Sequence, residues 1–385
     1  MTRTGTAARI SGIGGTAFGR HEGADTLALM ARAANAAIAD AGVARGEVDG
    51  ILVGYSTAMP HLMLASVLAE HLGIQPGYAH AVQMGGATGC GMVMLARLLV
   101  ASGQCNAVLV VGGENRLTGQ RSRDDVIQTL AQVGHPVYEV PYGTTIPGYY
   151  ALLASQYMHR YGLTEADLAE MAVLMRDHAA AHPDAQFRDP ITVDDVMASR
   201  PIAEPLKLLD CCPISDGSQA VLVTRPGLGR TGPVIAGTGQ AHMAQHLSMM
   251  TDIDDMGAAR SAQQAFGEAG LTVRDVGVLG VYDSFTITVT MLLEEIGFSA
   301  RGAAPAEAKA GRYGTGGLAL NTHGGLLSYG HPGVAGGMAH LAEVVAQMRG
   351  EAGARQKAEV PEVGFVHGDG GVLSAHVSLV LTAEE

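Results

Sequence analysis

Histidine and acidic residues gather in glycine-dense segments of the last quarter of this 385-residue sequence. NTHGGLLSYGHPGVAGG, Asn321 to Gly337, carries His323 and His331. Glycine lets backbone approach a ligand closely, and histidine is the side chain whose ordinary pKa lies nearest neutrality, so this stretch suits proton transfer at a backbone-built site. A second segment, VHGDGGVLSAH, sets His367 and Asp369 in a similar turn, where aspartate also serves plain turn chemistry. Metal chemistry finds no such support. The four cysteines, Cys90, Cys105, Cys211 and Cys212, show no CxxC spacing, and the adjacent pair cannot easily surround one ion. GIGGTA, Gly12 to Ala17, fits the loose GxGxxA form of a dinucleotide loop, but the polar, glycine-flanked Phe18 to Gly23 follows where a helix should open. It reads as a strand-to-loop turn.

The elements that must hold these residues alternate. Apolar β-branched runs such as Val108 to Val111 follow Ala/Leu/Met-rich helical stretches such as Met92 to Ser102, the pattern of an α/β fold. AIADAGVARGEVDGILVGYS (Ala37 to Ser56) lies without gaps on AFGEAGLTVRDVGVLGVYDS (Ala265 to Ser284), with six of twenty positions identical. GMVMLA (Gly91 to Ala96) pairs likewise with GMAHLA (Gly337 to Ala342). The chain therefore reads as two duplicated α/β halves, 1–231 and 232–385, that pack as similar layers. The repeat places His331 just before a helix, opposite Gly85. Thr118 to Thr231 has no counterpart in the second half and has helical spacing and cap signals, which predicts an inserted helical excursion. Such an insertion commonly walls a substrate pocket, and Tyr149, Tyr150 and Met158 would give it an apolar lining.

Composition narrows the function classes. The net charge of −13 leaves no basic footprint for nucleic acid. The first twenty residues hold Arg3, Arg9 and Arg20 and lack the apolar core of a signal peptide, and no run of eighteen apolar residues offers a membrane span. A cytoplasmic enzyme with reduced thiols is the expectation. With 53 Gly against 6 Phe, 11 Tyr and no Trp, close backbone approaches shape the interior more than aromatic packing does.

Four segments resemble one family. GHPGVAGG is similar to the GHPxGxxG histidine motif of thiolases, VQMGGATGCGMVMLA (Val82 to Ala96) to their nucleophile segment, DCCPISDGSQAVLV (Asp210 to Val223) to their SDGAAA turn, and VYDSFT to their (H/N)(D/E)xF motif. The similarity runs from Arg9 to Leu381 and is nearest the sterol-carrier-protein-type thiolases and lipid-transfer proteins. It implies the thiolase fold, two similar halves in αβαβα layers with a loop domain inserted in the first, and it implies a CoA thioester substrate with no bound cofactor.

The departures from the family bear on the reaction. Gly86 stands where the acyl-accepting cysteine belongs, and the second cysteine of thiolases falls on Gly368 or His367. Tyr282 replaces the histidine of HDxF, which keeps a hydrogen-bond donor but raises its ordinary pKa from about 6.5 to about 10. Claisen thiolysis needs a thiolate nucleophile, which a helix N-terminus favours; glycine supplies only a backbone N–H. Aldol cleavage needs no acyl-enzyme, only a base for a β-hydroxyl and donors for an enolate oxygen. The chain also resembles the steroid side-chain retro-aldolases of this superfamily, sharing YDxFT and NTHGG. Their tyrosine, carried over by position, makes Tyr282 the acid/base, Asp283 its orienting group, and His331 and His323 the groups that bind the thioester oxygen or shuttle the proton. Those enzymes carry a second tyrosine in an altered GHP turn, whereas this chain keeps GHPG intact, with Tyr329 two residues earlier. Cys90, one helical turn beyond Gly86, reads as a core cysteine, with a displaced nucleophile as the alternative. Two other functions stay open: a thiolase-type acyltransferase completed by another residue or a partner, and a non-catalytic acyl-CoA- or lipid-binding subunit. The resemblance further implies a homodimer formed through the first-half sheet and a small OB-fold partner with a zinc ribbon in an α2β2 assembly.

Overall fold

A computed structural model describes residues 7–119 and 123–383. Residues 1–6, part of the stretch read above for a signal peptide, residues 120–122 of the excursion and residues 384–385 lie outside the described residues. The first half runs β1 (Arg9–Gly15), α1 (Thr26–Ala41), β2 (Gly50–Gly54), α2 (Leu64–Leu72), β3 (Tyr78–Val82), α3 (Thr88–Ala101) and β4 (Ala107–Asn115). The excursion follows with α4 (Arg123–Ala131), α5 (Ile146–Tyr161), α6 (Glu165–Ala180), α7 (Val193–Ala198) and a two-stranded ribbon, β5 (Pro201–Ala203) with β6 (Leu206–Lys207), before β7 (Asp216–Thr224). The second half runs β8 (Val234–His242), α8 (Ala258–Ala269), β9 (Val278–Val281), α9 (Thr286–Ile296), α10 (Ala304–Lys309), β10 (Ala319–Leu320), α11 (Val334–Met348), β11 (Val363–Gly370) and β12 (Ala375–Thr382).

The duplication is visible in the strand order. One half is arranged β3-β2-β4-β7-β1 and the other β10-β9-β11-β12-β8, and the two join where β1 meets β8 at Arg9 and Val234. The repeat found in the sequence spans the end of α1 through β2 and the end of α8 through β9, and each helix stops at a left-handed glycine, Gly42 and Gly270. The second repeat pair falls in α3 and α11, which pack on each other between the two strand layers. Their apolar faces, Met92, Val93 and Ala96 against Val334, Met338 and Leu341, share one core with residues from both layers. α1 and α2 cover the outer face of the first layer, and α8 covers that of the second. This is an αβαβα stack, and strands β2 and β7 are buried along their whole length, and β4 up to Asn115, because helices cover both faces.

One boundary differs from the sequence reading. Asp216–Thr224, placed in the insertion between Thr118 and Thr231, is core strand β7, which pairs with β1 and β4 and occupies the position that β12 holds in the other half. The excursion therefore ends before Asp216. A strand buried on both faces accepts any β-branched apolar run, so β7 and β12 keep the same place without keeping matched residues. The excursion crosses over: α6 packs on α9, α10 and the π-helical turn Gly325–Tyr329, so an insertion from the first half roofs the second.

Candidate active site

Five loci converge on one cavity of about 530 Å³. Tyr282 follows β9, Asp369 closes β11 and Arg116 follows β4, all at the carboxyl ends of parallel strands, where open α/β layers place their ligands. Gly86 precedes α3, and His331 precedes α11. Tyr150, from α5, faces the same space. The excursion supplies the outer wall, with Val126, Ile127, Leu130, Ile146, Phe187 and Ile214 lining it. Tyr149 and Met158, expected beside Tyr150, pack instead in and against the core around α9.

The Tyr282 hydroxyl lies 2.9 Å from His331 Nε2. Both are fixed from behind. Asn321, at φ 44°, accepts from the Val281 N–H (2.9 Å) and donates to the Val281 carbonyl (2.7 Å), which clamps the strand end that carries Tyr282. The His331 N–H donates to Ser215 Oγ at 2.8 Å, and Gly330 and Gly333 take positive φ on either side. A Cβ added to Gly86 would overlap the Tyr282 hydroxyl and the Asp369 carbonyl oxygen. The space that a side chain on Gly86 would take is thus filled from the opposite half of the molecule by a phenol.

Burial sets the protonation states. It pushes the Tyr282 phenol well above its usual value, with the Cys212, Asp369 and Tyr55 groups acting in the same sense and Arg116 opposing them. It pushes His331 down to about 3, and the Arg116 cation and His340 add to that. At neutral pH a neutral imidazole therefore faces an un-ionised phenol. Arg116 is 3% exposed, is paired with the buried Glu114 and keeps its charge next to both groups. Glu114 in turn accepts from the N–H groups of Thr57 (2.8 Å) and Ala58 (3.0 Å).

The other residues singled out from the sequence lie around the cavity without lining it, Asp369 excepted. Asp283 does not contact the Tyr282 hydroxyl. Its carboxylate accepts from the Leu326 N–H at 2.7 Å and lies 3.3 Å from His340 Nε2, so it reaches Tyr282 only through the edge of the His340 ring. His323 is buried, its ring edges against those of Tyr329 and His340, and neither ring nitrogen has a hydrogen bond. His367, two residues before Asp369 on β11, lies outside the cavity, between Ser378 (2.8 Å) and His376 (3.1 Å). Cys90 packs under Gly368, and burial lifts its thiol to about 12. Arg116, Tyr150 and Cys212 went unnoticed as candidates for chemistry. Arg116 gave the clearest signal, one of two opposite charges that follow the apolar run of β4 in VVGGENR. Among the described residues, no three His, Cys, Asp or Glu side chains come together as metal ligands, and no helix is long and apolar enough to cross a membrane.

Comparison with known proteins bears on the family and the fold. Residues 7–226 match the family model of the thiolase N-terminal domain, and residues 239–383 match that of the thiolase C-terminal domain-like family. The chain is 36% identical over 371 residues to the steroid side-chain-cleaving aldolase of Thermomonospora curvata, covering 89% of this chain and 90% of that one. It is 32% identical over 383 residues to the acetyl-CoA acetyltransferase of Methanothermobacter thermautotrophicus, covering 96% and 98%. The solved structure of the Ltp2-ChsH2(DUF35) aldolase superposes with a TM-score of 0.84 at 34% identity, over 98% of each chain.

Proposed function

The chain belongs to the thiolase superfamily, and from that premise we propose that it cleaves, or in reverse forms, the Cα–Cβ bond of a 3-hydroxyacyl-CoA by aldol chemistry, with no cysteine nucleophile. The observation that carries this reading is the Tyr282 hydroxyl, which stands where a side chain on Gly86 would be and is hydrogen-bonded to His331. The site offers a proton path where a thiolase needs a thiolate.

With its own proton on Nδ1, His331 accepts at Nε2 from Tyr282. As the substrate's β-hydroxyl gives its proton to Tyr282 Oη, the phenol proton passes to His331, a weak base in this buried setting. The transfer is completed only as the negative charge of the enolate develops in the same cavity, and no free phenolate has to form. The Cα–Cβ electrons move into the thioester, and the β carbon leaves as a carbonyl. The enolate that remains is an anion, and the buried Arg116 cation on the cavity wall offsets its charge. Cys212 lines the cavity too, but burial lifts its thiol to about 12, which suits a wall rather than a nucleophile. The aliphatic wall from the excursion matches a bulky apolar acyl chain. The aldolase names of the Thermomonospora curvata relative and of the solved structure support the reaction class, and the acetyltransferase relative keeps acyl transfer with a partner's help as the competing reading.

For assembly we propose a homodimer through β3, at the edge of the first layer, joined by a small OB-fold, zinc-ribbon protein in an α2β2 complex. The two-component name of the structurally similar aldolase supports a second subunit. The test is incubation of the purified chain, alone and with such a subunit, with a panel of 3-hydroxyacyl-CoA and 3-oxoacyl-CoA esters. The expected products, from the hydroxy esters only, are a free carbonyl compound and a shortened acyl-CoA. Turnover confined to the 3-oxo esters would overturn the reading.

A further inference from the structure

Once the Cα–Cβ bond breaks, the thioester enolate still needs a proton on carbon. Tyr282 and His331 are then engaged with the oxygen of the departing carbonyl, one bond further along the substrate. On the same cavity wall stands a carboxyl group that the reaction as described above does not use. Asp369 Oδ2 accepts from the Tyr150 hydroxyl at 3.1 Å, and the Tyr150 ring is stacked on Phe285 with centroids 4.4 Å apart. Asp369 Oδ1 is buried with no hydrogen bond, and no cation pairs with the group among the described residues. Asp369 and Tyr282 line the same cavity, and the Asp369 carboxyl is close enough to act electrostatically on the Tyr282 phenol.

Resting on the retro-aldol reading above, we propose that Asp369 is the catalytic acid that protonates the enolate carbon, and that Tyr150 is its positioning residue. Burial favours the neutral acid, raising the Asp369 carboxyl well above the usual carboxylate range against the Tyr150 hydrogen bond and the nearby Leu373 and Gly370 amides. The electrons of the enolate form a new C–H bond with the Asp369 proton, and the thioester carbonyl re-forms. The carboxylate left behind is held by the Tyr150 O–H. The proton stored on His331 returns to Asp369 through solvent after products leave, so the cycle closes without another reactant. Run backwards, Asp369 is the base that removes an α-proton from a saturated acyl-CoA.

That reverse half-reaction supplies the experiment. Wild-type protein, with its partner subunit if cleavage needs one, is incubated with acetyl-CoA and propionyl-CoA in D2O, and deuterium at the α carbon is followed by mass spectrometry. Asp369→Asn is expected to lose at least about 100-fold in exchange, the lower end of what a positioned acid/base contributes. Tyr150→Phe removes a hydrogen bond that favours the carboxylate, so the rise of exchange with pH should move to higher pH; a merely structural role would lower the rate without moving the profile. This shift also decides the matter if the Asn variant does not fold. Exchange by Asp369→Asn at the wild-type rate, with cleavage intact in wild type, overturns the assignment of Asp369 alone. Wild-type protein that neither cleaves 3-hydroxyacyl-CoA nor exchanges overturns the aldol reading with it.

Discussion

Tyr282→Phe is expected to lower kcat for 3-hydroxyacyl-CoA cleavage by about 10²- to 10⁴-fold, the range for loss of a positioned acid/base. The ring keeps its edge contact with His340 and its place beside Gly86, so only the hydroxyl is removed and KM should change little. Steady-state kinetics on the purified variant check this, and a kcat near wild type would place the base elsewhere. The pH profile adds a second readout. His331 is neutral above about 3 and the Tyr282 phenol ionises only well above its usual range, so neither group changes charge near neutrality. Neither group should therefore give wild-type kcat a limb near neutrality, whereas an ordinary histidine base would give one near its usual value of about 6.5, and a fall of kcat toward high pH would report the raised Asp369 carboxyl instead.

Arg116→Gln is expected to cost both activity and stability, and a second substitution separates the two. Removal of the cation takes away the charge that faces the enolate, a loss of about 10²- to 10³-fold in kcat by analogy with other fixed oxyanion donors. It also strands Glu114, 1% exposed, and an unpaired buried carboxylate costs ~3–5 kcal/mol. In Glu114→Gln/Arg116→Gln no buried charge remains, and the amide oxygen can still accept from Thr57 and Ala58. Urea unfolding should show most of the stability restored in the double variant, with kcat still low. Recovery of kcat along with stability would mean that Arg116 holds the fold and has no part in the chemistry.

The sequence carried the architecture further than it carried the site. The repeats at Ala37 to Ser56 and Ala265 to Ser284 are legible because they contain turns and helix stops, where Gly42 and Gly270 must take left-handed backbone. Strands β7 and β12 do not show as a repeat, because full burial asks only for apolar β-branched residues, and so the end of the excursion was placed too late. At the site, the missing side chain of Gly86 was legible. What fills the space was not, since the contact with Tyr282 joins residues from different halves. Asp283 shows a limit that alternation could have exposed: neighbours at a strand end point to opposite sides, so Tyr282 and Asp283 were unlikely partners in one cavity. NTHGG drew attention through His323, yet the residue that acts on the site is Asn321, whose two hydrogen bonds fix the strand end before Tyr282. Arg116 and Tyr150 are brought in by β4 and α5, and no local spacing links them to the histidine turn.

The central claim is that this member of a cysteine-dependent superfamily breaks a carbon–carbon bond without a thiol. Its most direct test is a chain in which Cys90, Cys105, Cys211 and Cys212 are all replaced by alanine, checked for native circular dichroism and assayed for carbonyl release from a 3-hydroxyacyl-CoA, with intact-mass analysis of the wild type beside it. The predicted result is cleavage near the wild-type rate and no acyl adduct on the wild-type protein; a folded variant without activity, together with a thioester-sized adduct on the wild type, would contradict the account.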